Sequence, residues 1–270
     1  MKLAPFFGAG MAFFVAACGL DVDGSAGKGD SYEAALRRAE EARQVGDLDS
    51  ALPLYGRALQ ANPDGVEAKL GLGQSYLALG AAPEAAAQFR DVLGQRRNDS
   101  AALRGLAGAL IVMGQPAMAE RQLDIALTSN ANDYRALNAM GVVLDMQGRH
   151  AEAQARYGRG IELAPEYLPL RSNLGLSLAI SGQEQASLAQ LVPLAGLSGA
   201  DSRVRQNLAL AYALAGDFEK SLQMCRRDMD ERTAQQSLLY FMQLRALPPA
   251  ARSAEIRNNP SFFSQYGRRG

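Results

Sequence analysis

"GDLDSALPLYGRALQANPD", residues 46–64, contains the pattern from which the fold can be predicted. It opens on Gly46, which suits the left-handed conformation that ends a helix, and it closes on the break signal "NPD". Between these ends stand the small residue Ala51 and the large residue Tyr55. A small residue lets two helices approach closely, and a large one fills the gap to the next helix pair. The stretch therefore predicts one helix of a packed pair.

The glycine recurs with a fixed period of 34 residues, which is the spacing of a structural repeat. The six members of this column are Gly46, Gly80, Gly114, Gly148, Gly182 and Gly216. One column of small residues keeps the same register as Ala51, Ala85, Ala119, Ala153, Ser187 and Ser221. A second, in front of each glycine, consists of Ala39, Gly73, Ala107, Gly141, Gly175 and Ala209. The large-residue column consists of Tyr55, Phe89, Leu123, Tyr157, Leu191 and Cys225. The shared register predicts six copies of one helix-pair unit.

This pattern resembles the tetratricopeptide repeat (TPR), in which each 34-residue unit forms two antiparallel helices. The resemblance covers residues 32–234 as six repeats, with cap-like residues such as Asp99 and Asp133 in front of several units. It implies an all-α, right-handed TPR solenoid of six two-helix repeats. Residues 235–247 are expected to form a C-terminal capping helix that covers the last pair, as solenoids require. Residues 248–270, which begin with two prolines, are expected to be a flexible tail.

Residues 1–17 have the anatomy of an export signal, with Lys2 near the start, an apolar middle and small residues before Cys18. The apolar stretch is shorter than the roughly 20 residues that a membrane-spanning helix needs. The residues "VAAC", 15–18, resemble the lipobox of bacterial lipoproteins, in which the cysteine becomes the acylated first residue. The resemblance implies a signal peptide over residues 1–17, lipidation of Cys18 and a flexible tether over residues 18–31. A plain secretory signal and an ordinary buried helix are the alternatives.

Gly19, rather than an aspartate, follows the cysteine. By resemblance to the sorting rule of enteric-type bacteria, this favours the outer membrane over the inner membrane. We therefore expect the protein on the periplasmic face of the bacterial outer membrane, held by its acyl anchor. If Cys18 is lipidated, Cys225 has no cysteine left to pair with, and the core alone must hold the fold.

The charge of the chain is balanced, with 28 Lys and Arg against 28 Asp and Glu. Removal of residues 1–17 would remove only Lys2 among the charged residues, which leaves a formal charge of −1. A balanced chain lacks the basic surface that binds phosphate backbones, so we do not expect a nucleic-acid partner.

No set of residues converges on catalysis, so we do not expect an enzyme, a cofactor or a small-molecule substrate. His150, the only histidine, follows Gly148 and is interpreted as a solvated residue in a loop between two helices. Cys225 stands in the large-residue column and is interpreted as core. One His and one Cys do not make a metal site, so no metal is expected. "GLG", residues 71–73, follows no predicted strand and is not a phosphate-binding loop.

The first helix of each repeat lines the concave surface in the TPR family, and the resemblance places positions 2, 5, 9, 12 and 13 of each unit in that groove. Here those positions form a largely apolar stripe with polar side chains beside it. The predicted partner-binding residues are Leu77, Ile111, Val112, Arg135, Asn138, Val142, Met146, Asn173, Leu176, Ile180, Arg203, Leu210 and Leu214. They would accept an amphipathic helix or an extended segment of a protein partner. Alternatively, the apolar members pack under the next repeat or the capping helix.

The whole chain resembles the TadD family of tight-adherence (Tad, or Flp) pilus assembly lipoproteins, and it is similar in outline to the pilotins of type IV pili. The likeness rests on residues 15–18, the glycine column and the closing "LLYFMQLRAL", residues 238–247. It implies a non-enzymatic adaptor that binds the secretin, an outer-membrane pore subunit, or other pilus assembly components. The adaptor would help to localise or multimerise that partner. Because one fold serves many functions, a periplasmic scaffold for peptidoglycan enzymes or outer-membrane assembly factors is the alternative.

Overall fold

The computed structural model describes residues 31–197 and 200–259, and every regular element in these ranges is an α-helix. In chain order the helices are α1 (Tyr32–Gln44), α2 (Leu48–Ala61), α3 (Val66–Ala78), α4 (Ala82–Gln95), α5 (Ser100–Val112), α6 (Pro116–Ser129), α7 (Tyr134–Met146), α8 (His150–Leu163), α9 (Leu168–Ile180), α10 (Glu184–Ala195), α11 (Ser202–Ala215), α12 (Phe218–Cys225), α13 (Glu231–Ala246) and α14 (Pro249–Asn258). The first twelve form six pairs, one for each glycine of the 34-residue period. We call the first helix of a pair its A helix and the second its B helix.

The glycines form the turn between the A and B helices of each pair. All six have a left-handed backbone, with φ between +68° and +96°. In the second repeat, the Gly80 N–H donates to the Leu77 carbonyl at 3.0 Å and the Ala81 N–H to the Tyr76 carbonyl at 2.9 Å. This pair of hydrogen bonds is the Schellman motif, which satisfies the last carbonyls of a helix and needs a left-handed residue. The periodic glycine is therefore explained by backbone geometry.

The A helices form one continuous row, because each contacts the A helix of the next repeat and α13 extends the row after α11. Each B helix packs against its own A helix and the A helix that follows. The large-residue column fills these junctions, and its six side chains are at most 2 % exposed. At Gly141 a Cβ atom would overlap the ring of Tyr157, which shows why small residues face the large ones. The predicted solenoid and the buried position of Cys225 are confirmed.

The C-terminal region differs from the sequence-based prediction. The capping helix α13 begins at Glu231, before the predicted start at residue 235. The first part of the predicted flexible tail forms α14 instead, with Pro249 at the start, where a proline is compatible with a helix. The expectation of a flexible tail over the whole of 248–270 is therefore wrong for residues 249–258. Arg252, Ser253 and Ile256 order this segment because they find buried partners on the solenoid.

The predicted signal peptide, Cys18 and the tether up to residue 30 lie outside the described residues, as do residues 260–270. No helix within residues 31–197 and 200–259 combines the length and the apolar character that a membrane span requires.

Candidate partner-binding site

The predicted groove remains accessible in repeats two to four. Val112 is 38 % exposed and Arg135 is also exposed. Five further predicted residues on α3, α5 and α7 are half-buried, namely Leu77, Ile111, Asn138, Val142 and Met146. Because neighbouring A helices pack side by side, these residues lie on one side of three successive helices. The structure therefore brings them together as one surface of apolar and polar side chains.

Four predicted groove residues in repeats five and six are buried in the folded chain. Leu176, Ile180, Leu210 and Leu214 are at most 6 % exposed. They belong to one apolar cluster that also contains Phe241 and Leu244 of α13 and Ile256 of α14. The C-terminal helices thus cover this end of the A-helix row. The expectation that these four side chains are accessible is corrected, and the alternative packing under the cap applies to them.

The polar residues predicted beside the stripe contact one another or their neighbours. Asn173 donates to the Asn138 side chain at 3.0 Å, so these two join repeats four and five. Arg203 lies 3.0 Å from the Asp201 carboxylate.

Arg135 places its guanidinium 5.7 Å from the ring centre of Tyr134 and 5.9 Å from that of Tyr167. Cation–π contact with two rings holds this exposed charge at a fixed place beside the groove. The side chain therefore keeps a defined position from which it can meet an acidic group of a ligand.

A second set of polar residues lies at the turn after α7 and corrects the interpretation of His150. This histidine is the first residue of α8, and its side chain is only 14 % exposed. Its Nδ1 lies 2.7 Å from Oδ1 of Asp145, and its Nε2 lies 2.8 Å from Oγ of Ser253 on α14. His150 is therefore a structural link between repeat four and the C-terminal helix, not a solvated loop residue.

Asp145 is the buried centre of this set. Burial raises the pKa of the Asp145 carboxyl, whereas hydrogen bonds from His150, Ser177 and Tyr157 act in the opposite direction. Ser177 donates to it at 2.7 Å and Tyr157 at 3.0 Å. In the neutral tautomer with the proton on Nδ1, His150 donates to Asp145 and its Nε2 accepts from the Ser253 hydroxyl.

The order Asp–His–Ser is also that of a hydrolase triad, but a nucleophile must be open to its substrate. Ser253 is only 4 % exposed, so its hydroxyl is enclosed between α14 and the solenoid. In this enclosed position the hydroxyl holds α14 to the solenoid. Departure of α14 would expose Ser253 but would also separate it from His150, so the three residues are not arranged as a working triad. Within the described residues, no group of three or more His, Cys, Asp or Glu side chains is placed to hold a metal ion.

Arg252 provides the other buried contact of α14. Its Nε donates to the Leu244 carbonyl at 3.3 Å, and its Nη1 donates to the Ala179 carbonyl at 3.1 Å. The same Nη1 lies 3.1 Å from Oε1 of Glu184. The two carbonyls belong to the last turns of α13 and α9, where the helix dipole is negative. One guanidinium thus satisfies the ends of three helices.

Asp145 occupies position 12 of repeat four, one of the groove positions that the family resemblance implies, but the sequence does not identify its partners. Asp145 and His150 stand five residues apart on either side of the turn glycine, and this spacing is the only local signal. Ser253 lies 103 residues from His150 along the chain, so its contact arises only from the tertiary fold.

A family model for the tetratricopeptide repeat matches residues 36–102 and 104–167, which correspond to the first four repeats. Repeats five and six lie beyond the match and are recognised by their helix pairs, α9 with α10 and α11 with α12. No curated protein matches the chain.

Solved structures with the same fold include a tetratricopeptide repeat protein from Parabacteroides merdae. Its TM-score is 0.67 at 17 % identity, over 78 % of this chain and 84 % of that chain. PilW, described as a widely conserved type IV pilus biogenesis factor, has a TM-score of 0.65 at 17 % identity, over 78 % of this chain and 98 % of that chain. PilF of Pseudomonas aeruginosa has a TM-score of 0.62 at 14 % identity, over 78 % and 96 % of the two chains. Residues 36–102 and 104–167 thus match the tetratricopeptide repeat model, and the fold of the chain is similar to that of the type IV pilus biogenesis factor PilW.

Proposed function

We propose that the protein is a non-enzymatic lipoprotein adaptor for assembly of a Tad/Flp pilus, anchored on the periplasmic face of the outer membrane. In this proposal the solenoid binds the secretin or another pilus component in its groove, and the acyl anchor brings that partner to the membrane. The fold supports the adaptor role because TPR proteins present a row of helices as a binding surface. The likeness to PilW supports the pilus context.

The observation that carries the adaptor role is the accessible groove of repeats two to four. Val112 and Met146 end consecutive A helices, and neither belongs to a buried cluster, so both are available to a partner. Fully burying an aliphatic side chain contributes about 1.5–3 kcal/mol. Val112 and Met146 are the two side chains that can contribute most of this, because Leu77, Ile111 and Val142 already pack partly against the core.

The first test is a crosslinked pull-down of the membrane-anchored protein from native envelopes, with partners identified by mass spectrometry. We expect a secretin or other pilus components. The double variant Val112→Asp/Met146→Asp should lose the partner, because two charges would then lie in the contact surface. The matched control is Met118→Asp/Ile125→Asp on the B helix α6, where the side chains are 48 % and 42 % exposed.

Both variants should keep the helical circular-dichroism signal of the wild type. Capture of the partner by the groove variant would contradict binding in the groove. Recovery of only peptidoglycan enzymes or outer-membrane assembly factors would instead favour the alternative scaffold role.

The anchor has its own test, because it rests on the lipobox-like residues 15–18. Cells fed an alkyne fatty acid should label the wild-type chain, and Cys18→Ser should abolish the label and release the protein from the membrane fraction. Labelling of the Cys18→Ser variant would contradict acylation at this residue.

A further inference from the structure

Helix α14 docks on the solenoid through one narrow face. Among the α14 side chains that the structure describes, only Arg252, Ser253 and Ile256 are buried, each at 5 % exposure or less. Their spacing of one and four residues places them on one side of a helix. Of the other side chains of α14 that the structure describes, Ala254 is half-buried and the rest are exposed. The surface beneath it therefore recognises three groups: a guanidinium, a hydroxyl and an aliphatic chain.

This surface is what we call the turn edge, formed by the last turns of α7 and α9 and the turns at Gly148 and Gly182. Arg252 reaches the Ala179 carbonyl and Glu184 beside the Gly182 turn. Ser253 reaches His150 beside the Gly148 turn. Repeat five thus supplies two polar contacts to Arg252 and repeat four supplies one to Ser253, so two successive repeats contact two successive residues of the bound helix.

The arginine contact is specific for a guanidinium. Its acceptors are two carbonyls and one carboxylate: the Leu244 carbonyl approaches Nε, whereas the Ala179 carbonyl and the Glu184 carboxylate both approach Nη1. A lysine ammonium is a single point that cannot reach all three acceptors in this arrangement. The turn edge therefore selects arginine over an equal charge.

Helix α14 is short and makes few apolar contacts with the solenoid, so a competing helix can replace it. Ile256 is its only large apolar side chain among the buried three, and polar contacts exchange readily with water. A ten-residue helix is marginal on its own in water. The connection to α13 is extended at Leu247 and Pro248, with ψ of 146° and 153°, so α14 is a separate helix and not a continuation of α13. Its hydrogen bond to α13 is the one from Arg252 to the Leu244 carbonyl.

We propose that the turn edge of repeats four and five is a recognition site for a partner helix that carries Arg-Ser-x-x-Ile chemistry. Helix α14 occupies this site in cis and competes with the partner. The required pattern is an arginine, a small hydroxyl residue directly after it, and an aliphatic residue four positions after the arginine. The inference rests on the proposed adaptor role, for which it names the chemistry of a bound segment.

The test uses a fluorescent synthetic peptide of residues 247–259, "LPPAARSAEIRNN", as the probe, and full-length variants that carry Cys18→Ser. The released variant is Ile256→Asp, which alters α14 but no residue of the turn edge. Its matched control is Ala251→Asp at an exposed position of the same helix. By fluorescence anisotropy, the peptide should bind the released variant at least tenfold more tightly than the wild type or the control.

A disulfide between α14 and the solenoid provides the opposite state, in which α14 stays docked; we call this disulfide the lock. A Cβ atom on Gly182 would lie 3.6 Å from Cβ of Pro249, within the range of about 3.5–4.5 Å that disulfides adopt. The oxidised double variant Gly182→Cys/Pro249→Cys should not bind the peptide, and reduction should restore the wild-type level. Each single variant controls for the strain of a cysteine at the left-handed Gly182 and for the loss of the proline.

Two further substitutions test whether the peptide binds at the turn edge. In the released variant, His150→Ala should weaken peptide binding at least tenfold, and a peptide with Arg252→Lys should bind at least tenfold more weakly. Circular dichroism must show an intact solenoid in each variant.

The inference is overturned by any of three results with folded protein. These are no peptide binding to the released variant, equal binding to the oxidised and reduced lock, or equal binding of the arginine and lysine peptides. None of these results depends on a pilus component, so failure here is distinguishable from failure of the envelope pull-down.

Discussion

Asp133 and Asp145 are two buried carboxylic acids in repeat four, and the fold shifts their pKa values in opposite directions. Burial acts to raise the pKa of the Asp133 carboxyl, but hydrogen bonds from Ser100, the Ala136 N–H and Arg104 lower it below its ordinary value. At Asp145 burial dominates and the pKa is raised. Asp133 is the N-cap of α7 and joins α7 to α5 of the preceding repeat, so its ionised form stabilises the stack.

The opposite pKa shifts predict that the effects of Asp133→Asn and Asp145→Asn on the free energy of unfolding change with pH in opposite directions. Asp133→Asn should lower the free energy of unfolding at pH 7 by about 1–3 kcal/mol, because a charged hydrogen-bonded group is lost. That loss should persist down to about pH 4, near the pKa of the unfolded carboxyl, and shrink as the pH falls further toward the lower pKa of the folded Asp133 carboxyl.

The stability of the wild type relative to Asp145→Asn should instead fall as the pH rises from 4, because the folded chain retains the Asp145 proton longer than the unfolded chain. Urea unfolding between about pH 2 and pH 7, followed by circular dichroism, measures both differences: the Asp133 effect below about pH 4 and the Asp145 effect above it. Slopes of the same sign would contradict the assignment.

Cys225 gives a chemical prediction at the same scale. Burial, followed by the charge of Asp228, raises the pKa of the Cys225 thiol to about 11. At pH 8 its thiolate is roughly 100-fold scarcer than that of a free cysteine, so alkylation in the native chain should be slower by at least that factor. Because the unfolded thiol ionises near its ordinary value of 9.0, the stabilisation present below pH 9 should be lost as the pH rises toward 11.

Mass spectrometry of the Cys225 peptide after iodoacetamide treatment, with and without urea, checks the first statement. Equal rates in the two conditions would show that the thiol is accessible in the folded chain.

At the scale of the helix pair, the turn glycines offer a clean test of backbone conformation. Gly80 has φ of +80°, yet nothing lies within 4 Å of where its Cβ would be. Gly80→Ala should therefore destabilise the fold by about 1–2 kcal/mol through backbone strain alone.

The matched control is Gly94 in α4, which is equally open but without a left-handed backbone. Gly94→Ala should stabilise the fold by about 0.5–1 kcal/mol, since alanine favours the helix. Thermal unfolding of both variants compares them directly. A stabilised Gly80→Ala variant would contradict the left-handed turn.

For the whole molecule, the core is divided along the solenoid. One buried cluster runs from α4 to Leu170 at the start of α9, and a second runs from Leu176, later in the same helix, to Ile256 in α14. Because each repeat contacts mainly its neighbours, stability should be partly local. The capping helix α13 then supports the second cluster more than the first.

Leu244→Ala in α13 should therefore cost about 2–5 kcal/mol and lower hydrogen-exchange protection in α9 to α12. Protection in α3 to α6 should change little. The control is Leu239→Ala in the same helix, because Leu239 is 60 % exposed, and a surface change of this kind stays within about 0.5 kcal/mol. A uniform loss of protection along the chain would show that the solenoid unfolds as a single unit.

The repeats could be predicted from the sequence because their determinants are local and periodic. The glycine column requires left-handed turns, and the alternation of small and large residues sets how helices pack, so each unit predicts the next. The accessible groove residues in repeats two to four follow from the same register.

The burial of the groove residues in repeats five and six could not be predicted in this way. Leu176, Ile180, Leu210 and Leu214 have the same pattern as their accessible counterparts, and only the position of α13 and α14 decides that they are buried.

The amino-acid sequence by itself determined the 34-residue period, the helix pairs and the core columns, since each depends on contacts within a unit or with its neighbour. Only the tertiary structure decided that α14 returns to the turn edge, that Arg252 joins three helix ends, and that His150 meets Ser253. The reason is physical: these contacts join residues far apart in the chain and outside the repeat period. No local propensity or spacing encodes them.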